Sequence, residues 1–208
     1  MFSKRIKTIA SLVDENSTIL DVGTDHGYLP IFLMKNKLIK AAYASDVSEN
    51  ALDIAKVNIK NSKLKIPTIL SDGLKDVDVD YDTLIICGMG FNTIKKILES
   101  GKLPKTIIIQ SNSDHYLLRK YMVDCGYKIE EEVTLKDKKI YYVIIKYIIG
   151  TEKLSSTELH YGKSNNSQYF EYKLEKNKTI MKNIPLFKKF KFMKKNFYLK
   201  KLLKKNRA

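Results

Sequence analysis

The sequence predicts an α/β fold: a mostly parallel sheet with helices on both faces and a final antiparallel strand, followed by a small, strongly basic helical segment. Three observations predict it. Over residues 1–150 short apolar runs alternate with stretches of helical period, the pattern of strand–helix–strand units. Two strand-like runs then follow one another with no helix between them. Finally, residues 151–208 hold 16 basic and 4 acidic side chains, or +12 of the formal net charge of +15.

The elements can be justified in order. Ile6, Ile9, Ala10 and Val13 recur at helical spacing within Phe2–Val13. Thr18–Gly23 is a short apolar strand ending in glycine, Tyr28–Lys37 a helix and Ala41–Val47 a second strand. Ser48 is a suitable N-cap for a helix running to Asn61 that places Leu52, Ala55 and Ile59 on one face, because its hydroxyl can accept from an unpaired first-turn N–H. Further strands are expected at Thr68–Ser71, Thr83–Cys87 and Thr106–Gln110, and helices at Asn92–Glu99 and Asp114–Cys125. Gly101 and Gly126 fall where helix C-caps are expected. Strands Lys128–Leu135 and Ile140–Ile149 flank the polar Lys136–Lys139, which suits a hairpin.

Beyond residue 150 the pattern changes. Ser155–Gln168 is polar, and helices are expected at about Tyr169–Asn183 and Leu186–Lys205, parted by Pro185. In the last of these Leu186, Phe190, Met193 and Phe197 form an apolar stripe among lysines. That stripe is expected to pack against the preceding helix. The division is therefore a domain of residues 1–150 and a basic tail of residues 151–208.

The charge of the tail points to a polyanion, because lysines that neutralise phosphates release condensed counterions. A genome rich in A and T would raise lysine everywhere and does not explain an excess at one end. The stripe among lysines would also suit an anionic membrane surface. Cys87 and Cys125 form no CxxC pair, which fits a reducing cytosol. The first residues lack the apolar core of a signal peptide, and no run approaches the ~18 apolar residues of a membrane span. No His/Cys/Asp cluster has metal-ligand spacing. The expectation is a cytoplasmic, metal-free protein, with a monomer favoured.

In a parallel sheet the ligand sits beyond the C-terminal strand ends at the switch point beside the first strand. Three loops there are informative. In Asp21–Pro30, Gly23 and Gly27 permit close backbone approach and the following helix offers free N–H groups. The run is not GxGxxG, which disfavours a pyrophosphate. Asp46 lies 23 residues beyond Gly23, near the spacing at which an acid accepts from both hydroxyls of a ribose. Asp72 can accept from an adenine amine, with Gly73 clearing room for the ring. Three acid-and-glycine strand ends in this order read as an adenosyl pocket.

The fourth strand ends in Cys87-Gly88-Met89-Gly90-Phe91. Enzymes that methylate an exocyclic amine usually have a Pro-Pro-aromatic cluster here. Its absence disfavours that target and leaves ring nitrogen, carbon, oxygen and protein targets open. Of the histidines, His26 and His115 lie near the active end of the sheet, His26 being expected to steady its own loop, and His160 is expected to be solvated.

Ser3-Lys4-Arg5, the run Asp21–Pro30, Asp72-Gly73, Gly88-Met89-Gly90 and Gln110-Ser111-Asn112 together resemble the TrmK family of bacterial tRNA (adenine-22-N1)-methyltransferases. The resemblance covers about residues 3–150, and Gly23–Pro30 is its most specific part. It implies a Rossmann-like class I methyltransferase sheet with a helical C-terminal domain, S-adenosylmethionine as cofactor and a D-arm adenosine of tRNA as target. Asp21, Gly23, Gly27, Asp46, Asp72, Gly73, Gly88 and Met89 would face the cofactor, and Asp25 matches the position proposed as catalytic. The chain departs from the family pattern at Phe91, Ser111 and Tyr141-Tyr142, and its tail is shorter. Competing functions are methylation of protein or a small molecule, and non-catalytic RNA binding.

Overall fold

The computed structural model describes residues 2–138, 140–163 and 166–205. The chain forms two compact units, Met1–Glu152 and Lys153–Ala208.

The first unit runs α1 (Lys4–Ala10), β1 (Thr18–Val22), α2 (Tyr28–Lys35), β2 (Ala41–Asp46), α3 (Glu49–Asn61), β3 (Thr68–Leu70), β4 (Thr83–Met89), α4 (Phe91–Leu98), β5 (Thr106–Ser111), α5 (His115–Asp124), β6 (Tyr127–Asp137) and β7 (Ile140–Ile149). The strands make one sheet in the order β3-β2-β1-β4-β5-β7-β6. β7 alone runs antiparallel to its neighbours β5 and β6. The order reverses between β1 and β4, which opens a crevice at their C-terminal ends. Ile19, Leu20, Leu84, Ile85, Ile86 and Ile107–Ile109 are buried without alternation, as expected of strands covered on both faces.

Ser48 caps α3 by accepting from the Ala51 N–H, and Gly126 follows the α5 C-cap at φ +83°. Gly101 does not serve as a cap residue. Glu99 caps α4, and a Cβ on Gly101 would fall 2.6 Å from that of Leu74, so close packing explains the glycine. The closing hairpin is longer than expected, with β6 reaching Asp137 and Lys138 turning at φ +55°; Lys139 lies outside the described residues. Buried beneath it, Arg119 of α5 makes two hydrogen bonds to Glu132 of β6, at 3.0 and 2.8 Å.

The second unit holds α6 (Ser156–Tyr161), α7 (Ser167–Lys182) and α8 (Leu186–Lys205). α6 lies in the polar stretch after Ser155, for which no helix was expected, and is started by a capping box of Ser155 and Glu158. α7 packs on α8, with Phe170, Leu174 and Asn177 of α7 and Leu199 and Leu203 of α8 buried. At the seam Asn177 Nδ2 donates to Asn196 Oδ1 at 2.8 Å. The packing expected of the stripe does not occur: Leu186, Phe190, Met193 and Phe197 are exposed. α8 carries two apolar faces, and Leu199 and Leu203 occupy the one that meets α7.

Candidate active site

The loops after β1, β2, β3 and β4 converge on a cavity of about 480 Å³, within the usual size of small-molecule sites. Asp21, Gly23, Asp25, Asp46, Asp72, Gly73, Gly88 and Met89 all line it. Gly27 stands back: it is the left-handed N-cap of α2, at φ +70°, and its bare Cα lets Ala55 of α3 approach.

The turn after β1 is tied to β2. The Gly23 and Thr24 N–H groups donate to the Ser45 carbonyl at 2.9 and 3.0 Å. Gly23 has φ +72°, and a Cβ there would lie 2.0 Å from the Met89 methyl. Asp21 is buried, and desolvation pushes its carboxyl up to about 6, opposed by the Thr24 hydroxyl that donates to Oδ2 at 2.7 Å. Asp46 straps the same turn: its Oδ2 accepts from the Asp25 N–H and its Oδ1 from the Ser48 N–H, each at 3.0 Å.

Asp25 adopts a left-handed backbone at φ +54°, a region Asp tolerates better than most residues. The α2 N-cap is Gly27, with no side-chain cap, so the Asp25 carboxylate is not spent on the helix end. It projects into solvent at 72% exposure, 2.7 Å from His26 Nδ1. The His26 ring stacks on Tyr28 with centroids 5.4 Å apart, and its carbonyl accepts from Asn58. His26 thus both steadies the loop and fixes the Asp25 carboxylate.

Asp72 is exposed, and its hydrogen bond to Lys75 holds its carboxyl below the usual carboxylate range. Gly73 does not clear space for a ring as expected. A Cβ there would meet Ser100 Oγ at 2.5 Å and the Ile97 backbone at 3.3 Å, so that space belongs to the end of α4. Gly88, at φ +80°, has open space where a Cβ would point; its conformation, not crowding, requires glycine. The Gly88 carbonyl accepts from Asn112 Nδ2 at 2.6 Å, and the Met89 carbonyl from the Asn112 N–H at 2.8 Å and Ser111 Oγ at 3.3 Å.

Several lining groups were not assigned from sequence. Val47, 68% exposed, offers an apolar wall beside Asp46. Arg5 of α1 lines the cavity, with its guanidinium 5.3 Å from the Tyr142 ring centroid and 3.5 Å from Gln110 Oε1. It stands among four lining carboxylates. Asn112 bridges the ends of β4 and β5. Ser3-Lys4-Arg5 and Gln110-Ser111-Asn112 were visible as motifs, but nothing local says that residues 5, 110 and 142 meet. His115 Nε2 lies 3.0 Å from the Ser111 carbonyl. His160 is not simply solvated: its Nδ1 lies 2.8 Å from the Ser156 carbonyl, and burial, with lysines nearby, lowers its pKa. Burial pushes the Cys87 thiol up to about 12, so it is not an activated nucleophile.

These residues fit an adenosyl group. Asp46 keeps lone pairs for hydroxyls after its two backbone bonds, and Val47 supplies an exposed apolar face for a purine. Among the described residues no group of three or more His, Cys, Asp or Glu could hold a metal ion.

Comparison with known proteins agrees. The model of a methyltransferase-domain family matches residues 2–145. The tRNA (adenine(22)-N(1))-methyltransferase of Bacillus subtilis is 31% identical over 151 residues, 69% of this chain and 63% of that enzyme; the match thus spans somewhat less than two thirds of that relative. The structure of M. capricolum TrmK with S-adenosyl-homocysteine superposes at a TM-score of 0.87, with 31% identity and 98% of both chains covered. Streptococcus pneumoniae Sp1610, solved in complex with S-adenosyl-L-methionine, gives 0.88, with 30% identity over 98% of this chain and all of that one. This chain belongs to the methyltransferase-domain family and, within it, to the TrmK group.

Proposed function

We propose that this protein transfers a methyl group from S-adenosylmethionine to N1 of an adenosine in tRNA, at position 22 of the D-arm, acting as a cytoplasmic monomer. The observation that carries the reading is the cavity itself, where the Asp46 and Gly23 turns meet the Gly88–Met89 crossing in a chain whose relatives carry this activity. S-Adenosylmethionine supplies an electrophilic methyl group on a sulfonium. Asp46 receives the ribose hydroxyls, Val47 lies against the purine, and Asp21 and Asp72 line the walls beside Gly73. Gly88 and Met89 border the space where target and methyl group must meet.

Two features favour a ring nitrogen over the exocyclic amine. The Pro-Pro-aromatic cluster is absent, and the Gly88 and Met89 carbonyls already accept from Asn112 and Ser111. N1 attacks with its own lone pair and needs no base beforehand. Methylation leaves positive charge on the ring, and Asp25, held by His26, is the carboxylate placed to stabilise that charge or take a proton from the neighbouring amine. Residues 151–208 grip tRNA through lysine–phosphate contacts.

Purified full-length protein incubated with labelled cofactor and unmodified tRNA should label the RNA and create a reverse-transcription stop at one adenosine, since a methyl on N1 blocks pairing. Label appearing in added protein instead, or no stop, would overturn this reading.

A further inference from the structure

α8 has two sides of unlike character. One packs on α7, with Leu199 and Leu203 buried. The other bears Leu186, Phe187, Phe190, Met193 and Phe197 at 83%, 77%, 74%, 57% and 66% exposure. Apolar residues exposed singly are ordinary, but a contiguous exposed run marks an interaction surface. From Leu186 the stripe advances by four, three and four residues, so it keeps to one face of the helix. Lys189 and Lys200 border it on one shoulder and Lys194 and Lys201 on the other; every charged residue of α8 is a lysine.

We infer that this face is a stacking surface for unpaired RNA bases, with the Phe190 and Phe197 rings meeting bases and the shoulder lysines meeting their phosphates. The inference rests on the tRNA reading and deepens it: the grip of the tail is aromatic as well as electrostatic, and it selects loops over duplex. Charge complementarity decides the kind of partner. A second copy of this helix would set lysine against lysine along its whole length. An anionic bilayer would satisfy the charge, but interfacial binding scales with apolar area buried, and this stripe is narrow, is bordered by charge on both sides and gives way to lysines after Phe197. Unpaired nucleic acid offers what the face offers in mirror image, flat apolar bases beside closely spaced phosphates.

The test uses full-length protein in three forms: wild type, Phe190→Leu with Phe197→Leu, and Phe190→Tyr with Phe197→Tyr. These positions face away from α7, and circular dichroism verifies the fold. The leucine variant should lose about tenfold or more in affinity for unmodified tRNA and for a short single-stranded RNA, from the stacking lost at two rings. Its salt slope should stay unchanged because every lysine remains. The tyrosine variant should bind like wild type, and cofactor affinity should not move in either. The inference is overturned if the leucine variant keeps tRNA affinity within about twofold while wild type still methylates tRNA; the tRNA reading then survives alone. It is equally overturned if the substitution abolishes sedimentation with phosphatidylglycerol vesicles, or a dimer in ultracentrifugation, and leaves RNA affinity intact. A wild type that neither binds nor methylates tRNA defeats both readings.

Discussion

At the scale of single residues the cavity separates carboxylates by environment. Asp25 is exposed and braced by His26, so its carboxylate adds little to stability. Asp25→Ala should lower stability by about 1 kcal/mol for its left-handed backbone, leave cofactor affinity and tRNA affinity close to wild type, and lower single-turnover methylation by roughly 100-fold, the scale of a lost acid–base or charge-stabilising group. Rates within a few-fold of wild type for both Asp25→Ala and Asp25→Asn would make it structural. Asp21 is the opposite case. It is buried, and its carboxyl is raised to about 6 from 3.8, first by desolvation, with Asp46 adding to the rise and the Thr24 hydroxyl opposing it. Between those values the folded chain holds a proton that the unfolded chain releases. Its contribution to stability is therefore full below about pH 4, falls as pH rises through about 6, and is level above that, a loss on the order of 3 kcal/mol. Asp21→Asn keeps an oxygen for Thr24 and carries no charge, so it should flatten that fall and raise stability at pH 7 more than at pH 4. Urea unfolding at the two pH values measures it, and an equal change at both would reject the assignment.

The elements show what the sequence could and could not carry. Every strand and helix of the first unit was legible, because buried parallel strands need unbroken apolar runs and amphipathic helices repeat on one face. Asp46 and Asp72 were legible because strand order and a short turn fix where they emerge. The meeting of Arg5, Gln110 and Tyr142, and the buried Arg119–Glu132 pair, were not, since they depend on side chains brought together only by the folded sheet. α8 misled for a different reason. Leu186, Phe190, Met193 and Phe197 have as good a spacing as the residues that pack, and spacing alone cannot choose between two apolar faces. The structure chooses the face that carries Asn196, which meets Asn177 in the seam. A half-buried amide pair of this kind fixes helix register at a cost in stability. Replacing both with leucine should therefore raise the thermal midpoint of the helical unit. Asn177→Leu alone should destabilise it by about 1–3 kcal/mol, because it strands the Asn196 amide. Circular dichroism melts distinguish the two, and a double variant less stable than the single one would show that the pair contributes net stability.

Over the whole molecule the two units differ in charge. The cavity unit carries little net charge and lines its cavity with the carboxylates of Asp21, Asp25, Asp46 and Asp72, a poor surface on which to hold a polyanion. The basic tail has the reverse character, with +12 of the total +15 in residues 151–208. If the tail supplies the grip and the cavity the chemistry, salt should act on one and spare the other. Affinity of full-length protein for tRNA should fall steeply with added salt, each neutralised phosphate contributing about 0.7–0.9 to the log–log slope. Cofactor affinity should change little over the same range, because a single small cation held in a cavity releases few counterions. Replacing Lys188, Lys191 and Lys194 with glutamine should then reduce the slope by roughly two to three, weaken tRNA binding at low salt, and leave cofactor affinity and the rate at saturating tRNA unchanged. Filter binding across a salt series, beside calorimetry with the cofactor, reads both quantities. A slope unaffected by the three substitutions would move the phosphate grip off α8, and a rate that fell at saturating tRNA would show that these lysines also position the target adenosine.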